Sequence, residues 1–87
     1  MSPEELQEAI LKIPEGYSEV FYDSRKYGIS KTVFNQHKSL KVYAQELGGS
    51  NFISFNYYLL QSKQVLKPCE MPENKVIHFL ENLSYLK

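Results

Sequence analysis

Asn51-Phe52-Ile53-Ser54-Phe55-Asn56-Tyr57-Tyr58-Leu59-Leu60 is the stretch that decides the fold. Its alternation places Ile53, Phe55, Tyr57 and Leu59 on one face of a strand and Ser54, Asn56 and Tyr58 on the other. A run with one greasy face and one polar face is the central strand of a sheet packed on one side only.

Upstream, Leu40, Val42 and Ala44 alternate with Lys41, Tyr43 and Gln45, the pattern of a second half-buried strand. Residues 43–48 could instead form a short helix closed by a glycine, because Ala, Gln, Glu and Leu all favour helix. Strand is preferred, since Gly48-Gly49 suits a tight reversal into the central run. Residues 35–39 are a polar loop. Before it, residues 17–22 and 26–34 are rich in aromatic and β-branched side chains and flank Asp23-Ser24-Arg25, which predicts a hairpin. Tyr27, Ile29 and Val33 then face the core, and Lys31 falls on the same side unless a bulge or fraying intervenes.

Downstream, residues 61–64 read as a turn and Val65-Leu66-Lys67 as a short strand that Pro68 stops or confines to an edge. Helices are predicted at both ends of the chain. Ser2-Pro3-Glu4-Glu5 has the form of a capping box, followed by Leu6, Ala9, Ile10 and Ile13 on one helical face, with Pro14 and Gly16 ending the helix. Pro72 fits the first turn of the second helix, whose apolar face carries Val76, Ile77, Phe79, Leu80 and Leu83.

The fold class expected is therefore α+β, in the order α-β-β-β-β-(β)-α: a two-layer domain over residues 1–87. An antiparallel sheet of four to five strands packs both helices on the face carrying Ile29, Val42, Phe55, Tyr57 and Leu59. At 87 residues one modest core is all the chain can build. Ten basic and ten acidic residues cancel, which argues against nucleic acid and anionic membrane as partners. The charges are unevenly spread. Residues 1–23 carry six acids against Lys12, and residues 24–45 carry Arg25, Lys26, Lys31, Lys38 and Lys41 with no acid. Either the two segments attract each other within the fold, or the basic one docks an acidic partner. One cysteine, an acidic N-terminus and the absence of a long apolar run point to a soluble, cytoplasmic protein without a membrane span.

Cys69 is the most suggestive single residue. It lies between the last strand and the last helix, where the helix N-terminus and Lys67 favour a thiolate and Glu70 opposes it. Burial as a small hydrophobe is the alternative. Neither His37 nor His78 is spaced to serve the sulfur. No metal is expected, because the short paired spacings of a zinc site are missing, and no cofactor is expected either. Lys41, Tyr43, Ser54, Asn56 and Tyr58 share the polar face of the sheet, and they are the binding residues expected of an interaction module. Lysine interleaved with aromatic rings on an open sheet is also an RNA-stacking pattern, but the basic-glycine-aromatic strand motif that accompanies it is missing. A protein or small molecule is the partner expected, and the oligomeric state expected is a monomer or a weak homodimer formed by strand-edge pairing.

Leu47-Gly48-Gly49, Phe52-Ile53-Ser54-Phe55-Asn56-Tyr57-Tyr58 and Leu66-Lys67-Pro68-Cys69-Glu70-Met71-Pro72, in this order and spacing, resemble a family of short uncharacterised bacterial domains. Members are sometimes labelled peptide methionine sulfoxide reductase. The label implies a thiol oxidoreductase with Cys69 as the nucleophile, which would pass through a sulfenic acid that an external thiol reduces. The chain departs from both known reductase types: it has no Trp for a Gly-Cys-Phe-Trp motif, and no further cysteine for zinc or for resolving the sulfenate. A binding module is the first expectation, and the thiol enzyme the alternative.

Overall fold

The computed structural model describes residues 1–61 and 63–85, and of His37 the backbone only. Helix α1 spans Pro3–Lys12, strands β1 to β5 span Gly16–Tyr22, Arg25–Phe34, Ser39–Glu46, Phe52–Leu60 and Lys63–Pro68, helix α2 spans Glu73–Asn82, and β6 is Ser84–Tyr85. The strands form one antiparallel sheet in the order β5-β4-β3-β2-β1-β6. This is the expected α+β architecture. A sixth strand is added, because the chain leaving α2 pairs Val20 with Tyr85 and Phe21 with Ser84 along the outer edge of β1.

Alternation along the strands sets the two layers. Val20, Tyr27, Ile29, Val42, Ala44, Ile53, Phe55 and Tyr57 are buried on one face, and they pack with Ile10 and Ile13 of the α1 segment and with Val76, Phe79 and Leu80 of α2. Fully burying an aliphatic or aromatic side chain of this kind contributes about 1.5–3 kcal/mol, so this layer supplies most of the folding energy. Most of its polar atoms are tied off, Ser18 Oγ being buried without a partner. Tyr57 Oη donates to Gln64 Oε1 at 2.5 Å, Gln64 Nε2 donates to the Pro3 carbonyl at 2.6 Å, and Asn51 Nδ2 donates to Tyr27 Oη at 2.8 Å.

Local chemistry sets the element ends. Ser2 Oγ accepts from Glu5 N at 3.1 Å and Glu5 Oε1 accepts from Ser2 N at 2.8 Å, which closes the predicted capping box. Asp23 (φ 54) and Ser24 (φ 63) form a two-residue reversal between the paired Tyr22 and Arg25, so Arg25 belongs to β2 rather than to the turn. Two successive positive φ values are those of the I′ turn that matches strand twist. Gly48 (φ 84) opens the β3–β4 connection, and residues 43–46 are strand, not helix. Ser39, read as part of the polar loop, pairs with Phe34 as the first residue of β3. Pro68 is the last residue of β5, an edge strand. The turn predicted at 61–64 includes Ser62, outside the described residues; β5 is already paired at Lys63. Pro72 caps α2 instead of lying in its first turn.

Lys31 corrects a second expectation. Neither a bulge nor fraying removes it from the core face: β2 pairs in unbroken register with both neighbours, and Lys31 is 7% exposed. Its Nζ donates to the carbonyls of Ile10 (3.1 Å), Leu11 (3.4 Å) and Ile13 (2.8 Å). These lie at the C-terminal end of α1, where the dipole is negative and the last carbonyls run out of helical partners, although Ile10 O also accepts from Ile13 N at 3.3 Å. Pro14 follows Ile13, so no glycine caps this helix, and a lysine from the sheet does so instead. Burial lowers the affinity of this amine for its proton, and the nearby Glu15 carboxylate opposes that.

Candidate functional site

The face of the sheet opposite the helices is crossed by three rows of side chains that the pairing register brings side by side. The first runs Cys69, Ser54, Tyr43, Ser30, Tyr17; the second Lys67, Asn56, Lys41, Thr32; the third Val65, Tyr58, Ser39, Phe34. The five residues expected to bind, Lys41, Tyr43, Ser54, Asn56 and Tyr58, therefore form one contiguous patch on β3 and β4. Tyr43 faces Ser54, and Lys41 faces Asn56 across the same ladder. The alternation that buries Ile53, Phe55 and Tyr57 turns all five to this face, where Lys41 and Tyr43 are exposed, Asn56 and Tyr58 half-buried, and Ser54 buried at 5%.

Aromatic rings frame the patch. Tyr43 stacks on Phe52 with centroids 5.9 Å apart and planes 27° apart, leaving Tyr43 39% exposed. Phe34 is half exposed at the end of the third row. Tyr17 lies over Gly28, where a Cβ would meet its hydroxyl at 2.5 Å, and donates to Glu19 Oε2 at 3.0 Å. That hydrogen bond and the negative charge of Glu19 raise the Tyr17 phenol above its ordinary range. Phe34, Tyr17 and Phe52 were missed as site residues. Phe34 was within reach, because it continues the alternation Ser30, Thr32 one step further.

Cys69 belongs to the same face. Its backbone N–H donates to the Ser54 carbonyl at 2.9 Å, extending the β4–β5 ladder one residue past Pro68. Asn56 Nδ2 then lies 3.5 Å from Cys69 Sγ and donates to it. The sulfur is partly buried. Glu70, the next residue, takes φ 62 and turns the chain toward α2. His78 is engaged elsewhere: its Nδ1 is 2.5 Å from Tyr22 Oη on β1, and its ring meets Tyr22 edge-on on the helix side of the sheet. The site thus holds a thiol with an amide partner and no histidine from α2. Among the described residues, no group of three or more His, Cys, Asp or Glu is placed to hold a metal ion.

Charge is sorted by layer. Lys26, Lys41 and Lys67 belong to the open face; its one strand carboxylate, Glu19, is 3.7 Å from Lys26 Nζ. Glu4, Glu5, Glu8, Glu73 and Glu81 belong to the two helices. The expected attraction between residues 1–23 and 24–45 is realised only in part. Lys26 meets Glu19, but Lys31 is held by backbone carbonyls of the α1 segment and Arg25 pairs with Glu46 at 3.0 Å. No helix among the described residues is long and apolar enough to cross a membrane. In comparisons with protein-family models, curated proteins and solved structures, nothing matches this chain.

Proposed function

We propose that the protein is a binding module whose ligand surface is the open face of its sheet, centred on Lys41, Tyr43, Ser54, Asn56 and Tyr58. One observation carries this reading: the five residues are contiguous on the face opposite the buried core, with the exposed rings of Phe34 and Tyr17 beside them and α2 reaching its edge only through Lys75, over Phe52. A sheet face kept only for solvation would show scattered polar side chains rather than aromatic rings bordering lysines and amides. Amide NMR spectra recorded against a library of peptides, nucleotides and sugars test the reading. Ligands should shift the signals of residues 41, 43, 54, 56 and 58. Shifts confined to α1 and α2 would sink it.

The second reading, a thiol-dependent oxidoreductase with Cys69 as its nucleophile, draws support from the place of the sulfur, only partly buried at the end of the open face with the Asn56 amide beside it. Replacing Cys69 by Ser should then abolish reduction of a peptide sulfoxide by an added dithiol while leaving ligand-induced shifts intact. A thiol that alkylates no faster than free cysteine at neutral pH removes this reading.

A further inference from the structure

Taking the open-face reading as its basis, we infer that the ligand of this face is single-stranded RNA, with bases stacked on Tyr43 and Tyr58 and phosphates held by Lys41 and Lys67. A net charge of zero argues against nucleic acid only while the charges are mixed, and here they are separated. The carboxylates of Glu4, Glu5, Glu8, Glu73 and Glu81 lie in the helical layer, behind the sheet, where they outnumber Lys12 and Lys75. On the open face Glu19 is already engaged by Lys26 and Tyr17, and Glu70 lies beyond the end of β5. What the open face offers a ligand is positive.

The register supplies the spacing. Tyr43 is opposite Ser54, and Tyr58 is four residues further along β4, so the two rings are about 14 Å apart along the strands. Lys41 and Asn56 face each other between them, and Lys67 follows Asn56 in the same row. That order, ring, cation with amide, ring, is what an extended strand of two or three unstacked nucleotides requires. Exposed Thr32 borders the path with a hydroxyl for a ribose 2′-OH group, and Asn56, whose Nδ2 already donates to Cys69 Sγ, offers its amide oxygen to a base edge. Among the described residues no helix projects from this face to enter a duplex groove, and an acidic peptide would engage the lysines while leaving the rings without partners.

Fluorescence anisotropy of a labelled single-stranded RNA of mixed sequence provides the test, with the same sequence as DNA, an RNA duplex and polyglutamate as competitors. The single-stranded RNA should bind tightest. Tyr43→Ala and Tyr58→Ala should each weaken binding roughly ten-fold or more. Tyr43→Leu, which keeps an apolar contact with Phe52, should lose as much as Tyr43→Ala, whereas Glu8→Gln on α1 should change nothing. Lys41→Gln and Lys67→Gln should each reduce the slope of log affinity against log salt by about 0.7. Absence of binding, equal binding of DNA or duplex, or affinity unchanged by folded tyrosine variants overturns the inference. If polyglutamate alone binds and shifts the sheet-face amides, RNA is rejected and the binding module stands; if the shifts fall on the helices, both are rejected.

Discussion

Lys31 is a charged residue whose partners are not charged. Its ammonium completes the last turn of α1 with three carbonyls, and the register of β2 puts it there without strain. Lys31→Met keeps much of the side-chain bulk and removes the desolvated charge, but it takes the donor from the Leu11 and Ile13 carbonyls, while Ile10 keeps the Ile13 N–H. A carbonyl left without a partner in a buried site costs about 1–3 kcal/mol, which outweighs the desolvation recovered. The variant should lose about 2 kcal/mol in urea unfolding, and exchange of the α1 amides should accelerate. Unchanged stability would show that water satisfies the carbonyls equally well. Nothing in the sequence near Lys31 announces this role, because the alternation of β2 marks the position as apolar and the acceptors lie one element earlier in the chain. The reading of a bulge followed from treating lysine as excluded from a core, and that rule gives way where a helix end supplies acceptors.

Turns and caps decide whether an element keeps its length. In the β1–β2 reversal Ser24 holds φ 63, a conformation that any residue bearing a Cβ adopts at a penalty and glycine does not. Ser24→Gly should raise stability by about 1 kcal/mol, seen as an increase of ~5 °C in melting temperature for a domain of this size. A lower melting temperature would mean that the Ser24 hydroxyl contributes more than the conformation costs. In the helical layer, the Ser2 backbone and hydroxyl hydrogen bonds lower the Glu5 carboxyl below its ordinary value of 4.5. The folded-state value is the depressed one, so this contribution is present in full above the unfolded value and disappears as pH falls through the folded one. Glu5→Gln should therefore flatten the acid limb of a melting-temperature profile below about pH 4.5 and leave its shape at neutral pH unchanged. An identical acid limb would remove the capping box as its source.

For the molecule as a whole, period-two alternation made the sheet readable and the same alternation made the open face readable. Ser54, Asn56 and Tyr58 had to lie together once Ile53, Phe55 and Tyr57 were buried. The place of Cys69 was not readable, because it depends on the β4–β5 ladder continuing past a proline, which a local pattern does not show. β6 escaped for a different reason: two residues are too few to display a period, and their pairing is decided by where α2 ends.

That pairing has a kinetic meaning. Strands β1 to β5 lie beside their chain neighbours, so each ladder closes over a short turn and can zip up in sequence. Val20 with Tyr85 is different, since it joins opposite ends of the chain after both helices have docked. Contacts of that separation form late, and interactions absent from the transition state act chiefly on the unfolding rate. Tyr85→Ala removes a half-buried ring that also lies 5.4 Å from Lys12 Nζ, and should speed unfolding several-fold while leaving the folding limb of the chevron in place. A slowed folding limb would place β6 in the nucleus. The last and shortest strand is then a latch, which sets how long the folded molecule persists rather than how it is reached.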